Sequence, residues 1–453
     1  MDRTDPLSDS TRTIAAKATP PGTGGIGVIR LSGPDCLLIA HELTGRQLNP
    51  REATPTRFHS KGGDTLDHGI AIFFKAPASY TGEDVLELHC HGGPVILDGV
   101  LAELTALGAE LARPGEFTER AFLNGKMDLA QAEAVVDLIN SQTEIAAKCA
   151  LRSLEGNFSK KINDLCSNLR EIRVFIEANI DFSDEPVDSI ENNEIKKKLK
   201  DFRLIIGELI DRSRPGKILS TGAEVVLIGA PNVGKSSLFN VLARAERAIV
   251  TATPGTTRDT LEATISLEGL PIRLIDTAGL RESDDEIEAE GMRRAIAAAL
   301  RADLVLEVRD DTQPDPITLK TEGEDSSQKK KIVVLNKCDL SGRPFGESKN
   351  QDGCPAVAVS ATNGQGIDSL EKMLQVELGY RGEREDIIMA RRRHIEAMQR
   401  AHSHLDQATN HFESTDLLAE EIRLAQNALG EITGAVTVED LLGDIFSTFC
   451  IGK

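Results

Sequence analysis

The segment Gly229-Ala-Pro-Asn-Val-Gly234-Lys235-Ser236 constrains this chain more than any other. It follows the apolar run Val225–Ile228 and precedes Ser237, Leu238, Phe239 and Leu242, whose apolar members have helical spacing. A GxxxxGK[ST] sequence between a strand and a helix forms a glycine-rich turn with its backbone N–H groups facing inward. Those donors and the positive end of the helix cradle phosphate oxygens. Lys235 is expected to reach the β- and γ-phosphates, and the Ser236 hydroxyl to bind magnesium. Asn232, Val233, Gly234 and Ser237 belong to the same nucleotide-contacting turn.

Further motifs follow in a fixed order. Asp276-Thr277-Ala278-Gly279 closes an apolar run. Its aspartate is placed to hold magnesium through water, and Gly279 to offer a backbone N–H to the γ-phosphate. Asn336-Lys337-Cys338-Asp339 follows Ile332–Leu335. The Asp339 carboxylate can accept both N1–H and the 2-amino group of guanine, a pair that adenine lacks. Ser360-Ala361, after the next strand, matches the loop behind the guanine. The set selects GTP over ATP and resembles the translation-factor-like class of GTPases over roughly residues 220–380. Between the first two motifs lies Thr251-Ala252-Thr253-Pro254-Gly255-Thr256-Thr257. Thr257 is expected to complete a magnesium shell when the γ-phosphate is present, and its release would free the loop.

Catalysis needs another source. Leu280 follows DTAG, where a Ras-like enzyme carries a glutamine that orients water. A bound monovalent cation could supply positive charge between the phosphates. The Asn232 amide oxygen and carbonyls of Thr251–Thr256 are candidate ligands. Arg258 and Arg281 are nearby cations, and the acidic run to Glu288 offers several carboxylates that could position water. The residues alone do not choose among them.

The chain has 453 residues, enough for several domains. Strand candidates alternate with helices from Glu224 to Val359, the pattern of a mostly parallel sheet. Helical patterns flank this insert: Leu129–Leu154 as one amphipathic helix, Ile162–Phe182 and Glu194–Ile210 before it, Ile387–His411 and Asp416–Gly430 after it. Short apolar runs at Gly25–Leu31, Gly69–Phe74 and Val85–His89, with a helix from Pro94, suggest an N-terminal α+β domain. The expected layout is an N-terminal domain (1–125), a helical domain (126–215 and 381–453) and an inserted Ras-like P-loop domain (216–380). VRDDTQPDPI (Val308–Ile317) and the basic run Lys329–Lys331 read as solvated loops. Seven scattered cysteines and a polar N-terminus favour a reducing, cytoplasmic setting. No apolar stretch is long enough to span a membrane. A net charge of −20 excludes strong non-specific nucleic-acid binding, so any RNA must be held by local patches or a partner.

The chain as a whole resembles the MnmE (TrmE) family of tRNA uridine-5-carboxymethylaminomethyl modification GTPases. The resemblance rests on ATPPGTGGIGVIRLSG, SYTGEDVLELHCHGGPVIL, RPGEFTERAFLNGKMDLAQAEAV, GAPNVGKSSLFN, TATPGTTRD, DTAGLRE and the terminal FCIGK. It implies a potassium-activated GTPase acting as a homodimer. Asn232, Thr251, Thr253 and Thr256 would surround potassium, Ser236 and Thr257 magnesium, and Glu288 would orient the attacking water. It implies 5-formyltetrahydrofolate or a related tetrahydrofolate at Arg30, Glu87, Lys126 and Lys453. Cys450 matches a C-terminal cysteine for which both catalytic and structural roles are open. The implied partners are a flavin-dependent protein of the MnmG/GidA family, forming a heterotetramer, and tRNA modified at the wobble uridine. A ribosome-assembly GTPase switch is the competing reading, because it shares PNVGKS and DTAG.

Overall fold

The computed structural model describes residues 12–181, 189–245, 261–276, 298–313, 330–349, 354–380, 387–412, 414–436 and 439–452. They form two compact units. One holds the chain up to Val136, Ser159–Asn163 and the chain from Gly430; the other holds Asp137–Phe158 and Asp164–Leu429.

The first unit is built on a six-stranded sheet of order β3-β4-β5-β2-β1-β6. Its strands are β1 (Ile14–Lys17), β2 (Gly24–Ser32), β3 (Thr54–His59), β4 (Thr65–Phe74), β5 (Val85–Gly92) and β6 (Glu110–Leu111). Strand alternation divides the faces. Ile29, Leu31, Leu86, Leu88 and Cys90 enter a core with Ile39, Leu43, Val100 and Leu104 from helices Cys36–Thr44 and Pro94–Ala106. Arg30, Glu87 and His89 therefore occupy the other face. The helix from Pro94 begins on proline, whose missing N–H costs nothing at a first helical position.

The RPGEFTER segment has a structural explanation. Arg120 is buried and donates to Glu83 Oε2 (3.0 Å), Glu116 Oε1 (3.1 Å) and the Arg12 carbonyl (2.9 Å). Ser32 Oγ donates to the same Glu83 oxygen at 2.8 Å. Two carboxylates thus satisfy one buried guanidinium, whose isolated burial would be strongly unfavourable. At the other end of the chain, Phe446 and Phe449 pack with Leu129 and Ala132.

The second unit carries a seven-stranded sheet of order β12-β13-β11-β10-β7-β9-β8. The strands are β7 (Ala223–Ile228), β8 (Leu261–Leu267), β9 (Leu270–Asp276), β10 (Leu304–Asp310), β11 (Lys331–Asn336), β12 (Gly346–Lys349) and β13 (Pro355–Ala358). The inner strands pair in parallel, and only edge strands β8 and β12 are antiparallel. Val225, Leu227, Leu304, Leu306, Ile332 and Val334 lie in the main core, while Val226, Ile228 and Val305 face a second cluster. Burial on both faces gives the near-continuous apolar runs seen in the sequence.

Two helical expectations need correction. Leu129–Leu154 is not one helix but two, Leu129–Asn140 and Glu144–Leu154. Thr143 interrupts the pattern by capping the second, its side chain accepting from Ala146 N at 3.2 Å. The helix expected over Glu194–Ile210 runs Ser189–Thr221, continuing through Pro215. Leu219 from its last turns joins the sheet core, so packing extends it past the polar pattern.

Candidate functional site

Parallel pairing brings the C-terminal ends of β7, β9, β10, β11 and β13 to one edge of the sheet, the general ligand edge of open α/β folds. Each described motif leaves from that edge. The loop after β7 runs into helix Lys235–Ala245. Within it Asn232 adopts φ 62, a left-handed conformation that asparagine tolerates better than most residues. Gly234 has φ 97, and a Cβ there would lie 2.2 Å from Asn336 Nδ2. Only glycine permits both that backbone and that approach.

The side chains converge. Lys235 Nζ donates to the carbonyls of Gly229 (2.9 Å) and Ala230 (2.8 Å), curling its ammonium over the loop. Ser236 Oγ donates to Asp276 Oδ2 at 2.9 Å, so the two expected magnesium-side groups are in contact. Asp276 is fully buried at the end of β9. Two hard oxygen donors in this position suit magnesium.

Asn336 ties two loops together. Its Nδ2 donates to the Val233 carbonyl at 2.9 Å, and its Oδ1 accepts from Ala361 N at 3.0 Å. Ser360 is buried and its N–H donates to Gln365 O at 2.9 Å. Lys337 has φ 66, and its Nζ donates to Asp310 Oδ2 at 2.6 Å. Asp339 is exposed, where its carboxylate can meet a base.

Asp310 and Asp311 correct the reading of Val308–Ile317 as a solvated loop at its start. Both side chains are nearly buried. Burial alone would raise the Asp310 carboxyl, but bonds from Lys337 and Thr312 hold it below its ordinary value. Arg343 and Ser341 likewise hold Asp311 below its ordinary value against the opposing effect of burial. These acids hold the loop that carries Lys337–Asp339 through Lys337, Ser341 and Arg343, and sequence reasoning missed them. Their signal was an acidic pair at a strand end beside a lysine of the next motif. Likewise Lys331 is not merely solvated, since it pairs with Glu307 at 2.9 Å.

Thr251, Ala252, Thr253, Pro254, Gly255, Thr256, Thr257, Thr277, Ala278, Gly279, Glu288 and Lys453 lie outside the described residues.

In the first unit Arg30 and Glu87 face each other in the β2–β5 register. Arg30 Nε and Nη2 donate to Glu87 Oε1 at 3.0 and 2.8 Å. The guanidinium lies 5.4 Å from the Tyr80 ring centroid and 5.9 Å from that of Phe117. Tyr80 is in turn hydrogen-bonded through its hydroxyl to Thr118 Oγ1 at 2.9 Å. The pair is preorganised, and Glu87 Oε2, which Arg30 does not engage, lies 3.6 Å from His89 Nε2. Lys126 is exposed and donates to the Pro77 carbonyl at 3.0 Å. Cys450 is free and exposed. Gly452, with φ 95, brings the tail to β1, where a Cβ would lie 2.2 Å from the Lys17 carbonyl.

Family comparison adds to this geometry. Residues 129–450 match the model of the MnmE helical domain, and residues 13–126 that of the GTP-binding protein TrmE N-terminus. A tRNA modification GTPase MnmE from Nitrosococcus oceani is 50% identical over 459 residues, covering 100% of this chain and 99% of that protein. A protein of the same name from Azoarcus sp. is 48% identical over 97% of this chain and 98% of its own length. Among solved structures, the FeoB G domain from Methanococcus jannaschii is 26% identical over 34% of this chain and 97% of its own, with a TM-score of 0.25.

Proposed function

The chain belongs to the MnmE family of tRNA modification GTPases, and from that membership we propose that it hydrolyses GTP in the service of wobble-uridine modification. The Ser236–Asp276 contact at the edge where the nucleotide motifs meet carries the GTPase part of this reading. In it, Gly234 and its neighbours turn N–H groups onto the phosphates, Lys235 leaves the loop carbonyls for the β- and γ-oxygens, and Asp339 reads guanine. Ser236 and Thr257 would hold magnesium, with Asp276 behind them. Magnesium supplies charge neutralisation at the β- and γ-oxygens when bound.

Potassium is the proposed substitute for the missing glutamine at Leu280. Asn232 lies exposed in the loop, and its amide oxygen suits a monovalent cation. Thr251, Thr253 and Thr256 complete the proposed site. Glu288 orients the water for in-line attack. GTP turnover that rises steeply in potassium chloride but not in sodium chloride supports this mechanism; equal rates in the two salts remove it.

The remaining assignments are of the same standing. Residues 1–125 form the folate-binding and dimerising domain, 126–215 and 381–453 the helical domain, and 216–380 the G domain. Arg30, Glu87, Lys126 and Lys453 bind 5-formyltetrahydrofolate or a relative. Glu87 Oε2 can accept from a pterin edge, and the lysines suit the glutamate tail. The chain works as a homodimer in the cytoplasm with a flavin-dependent MnmG-type partner in a heterotetramer. Cys450, exposed near the tail, is available for chemistry. No described helix is long and apolar enough to cross a membrane.

A further inference from the structure

A groove of about 800 Å³ opens among β2, β3, β4 and β5. Its walls carry Arg46, Arg57, His59, His68, His89 and His91, with no carboxylate among the lining residues. In a chain of net charge −20 this is a local reversal of sign. Strand register produces it. Arg57 stands opposite His68 across β3 and β4, and Ile70 opposite His89 across β4 and β5. Arg57 and His68 are exposed, and among the described residues no ion pair engages Arg57 or Arg46. His91 is held differently: Asp67 meets its ring nitrogen at 2.7 Å. Ile26 and Ile70 leave apolar surface between these side chains.

His89 joins this groove to the Arg30–Glu87 pair. Its Nε2 is buried without a hydrogen-bond partner and lies 3.6 Å from Glu87 Oε2. A metal is not the natural occupant, because no described cluster of three or more His, Cys, Asp or Glu is disposed to hold one. Guanidinium groups suit phosphodiesters, and imidazole rings with apolar neighbours suit unstacked bases. We propose that this groove holds the backbone of single-stranded RNA in the substrate tRNA and leads a base towards Glu87. The proposal rests on the tRNA-modification reading and adds the surface that carries the RNA.

The test uses the full chain and an unmodified tRNA transcript, with affinity measured across a potassium chloride series. Arg46→Ala and Arg57→Ala should each weaken binding about three- to tenfold near physiological salt, and lower the slope of log K against log salt by about 0.7–0.9. Arg57→Lys should recover much of the loss, and GTP turnover without tRNA should stay at the wild-type rate. Wild-type affinity and slope in both alanine variants would overturn the proposal, while intact wobble modification would leave the family reading standing. A wild-type chain that neither binds tRNA nor alters wobble uridines would instead fail the family reading. Displacement by inorganic phosphate at matched ionic strength would make this a free-phosphate site and overturn the proposal. So would a shift from dimer to monomer with unchanged tRNA affinity, since a second copy would then cover the groove.

Discussion

Asn336→Ala tests the way the nucleotide edge is assembled. The side chain is 3% exposed in its residue and holds Val233 O and Ala361 N at 2.9 and 3.0 Å. Alanine leaves a buried carbonyl and a buried N–H unpaired, each costing about 1–3 kcal/mol. Water can reach part of the space vacated, so the lower end applies to the loop as a whole, about 2–3 kcal/mol. The Ala361 amide reports the loss locally. In the nucleotide-free protein its hydrogen exchange should quicken by roughly 30- to 150-fold, since each 1.4 kcal/mol is a factor of ten. Amides in the sheet of the first unit should keep their wild-type rates. Guanine-nucleotide affinity should fall in parallel, because Asn336 joins the two loops proposed to meet the ligand. An unchanged Ala361 exchange rate with weakened nucleotide binding would refute the reasoning, as it would leave Asn336 a ligand contact with no role in joining the loops.

Other outcomes follow from the same contacts. Lys337→Met removes the partner of nearly buried Asp310, and because Lys337 is about a third exposed the loss of stability should be about 1–2 kcal/mol, measured by urea denaturation. Asp310 and Asp311 are depressed below the ordinary carboxylate value of 3.8, so their contribution is present above that value and lost as pH falls through the folded-state values. Acid unfolding of the second unit should therefore begin below about pH 4 at these groups, and the Lys337→Met variant should lose the share of that limb that comes from Asp310 while keeping that of Asp311. Thr143→Ala should cost about 1 kcal/mol through the lost cap, seen as faster exchange at the Ala146 amide. Arg120→Met removes the guanidinium shared by Glu83 and Glu116, leaving Ser32 on one carboxylate and Arg113 on the other, and should destabilise the first unit by about 3–5 kcal/mol in thermal or urea melts.

Much of the fold could be read from local pattern. The alternation of buried runs with helices named the parallel sheet because inner strands, covered on both faces, have few polar residues. Short edge strands such as β12, with the sequence GESK, have no such signal, since one side of an edge strand is unpaired. The break at Thr143 was hidden because apolar spacing continues on either side of it. The candidate nucleotide residues stand out in the sequence for a different reason. Backbone conformation and charge at a phosphate loop admit few residue types, so Gly234, Lys235 and Ser236 announce themselves. Asp310 did not, since an aspartate at a strand end can equally face solvent, and only the fold brings Lys337 to it. The Arg30–Glu87 pair is visible only once register brings residues 30 and 87 together.

GTP hydrolysis by this chain is proposed to serve the modification of tRNA. Nucleoside analysis of tRNA from cells lacking this protein tests it most directly, with wild type and Lys235→Ala each restored to those cells. Carboxymethylaminomethyl uridine at the wobble position should disappear without the protein, return with the wild type and stay absent with Lys235→Ala. Unchanged wobble uridines in the cells that lack it would mean that this protein does not serve that modification.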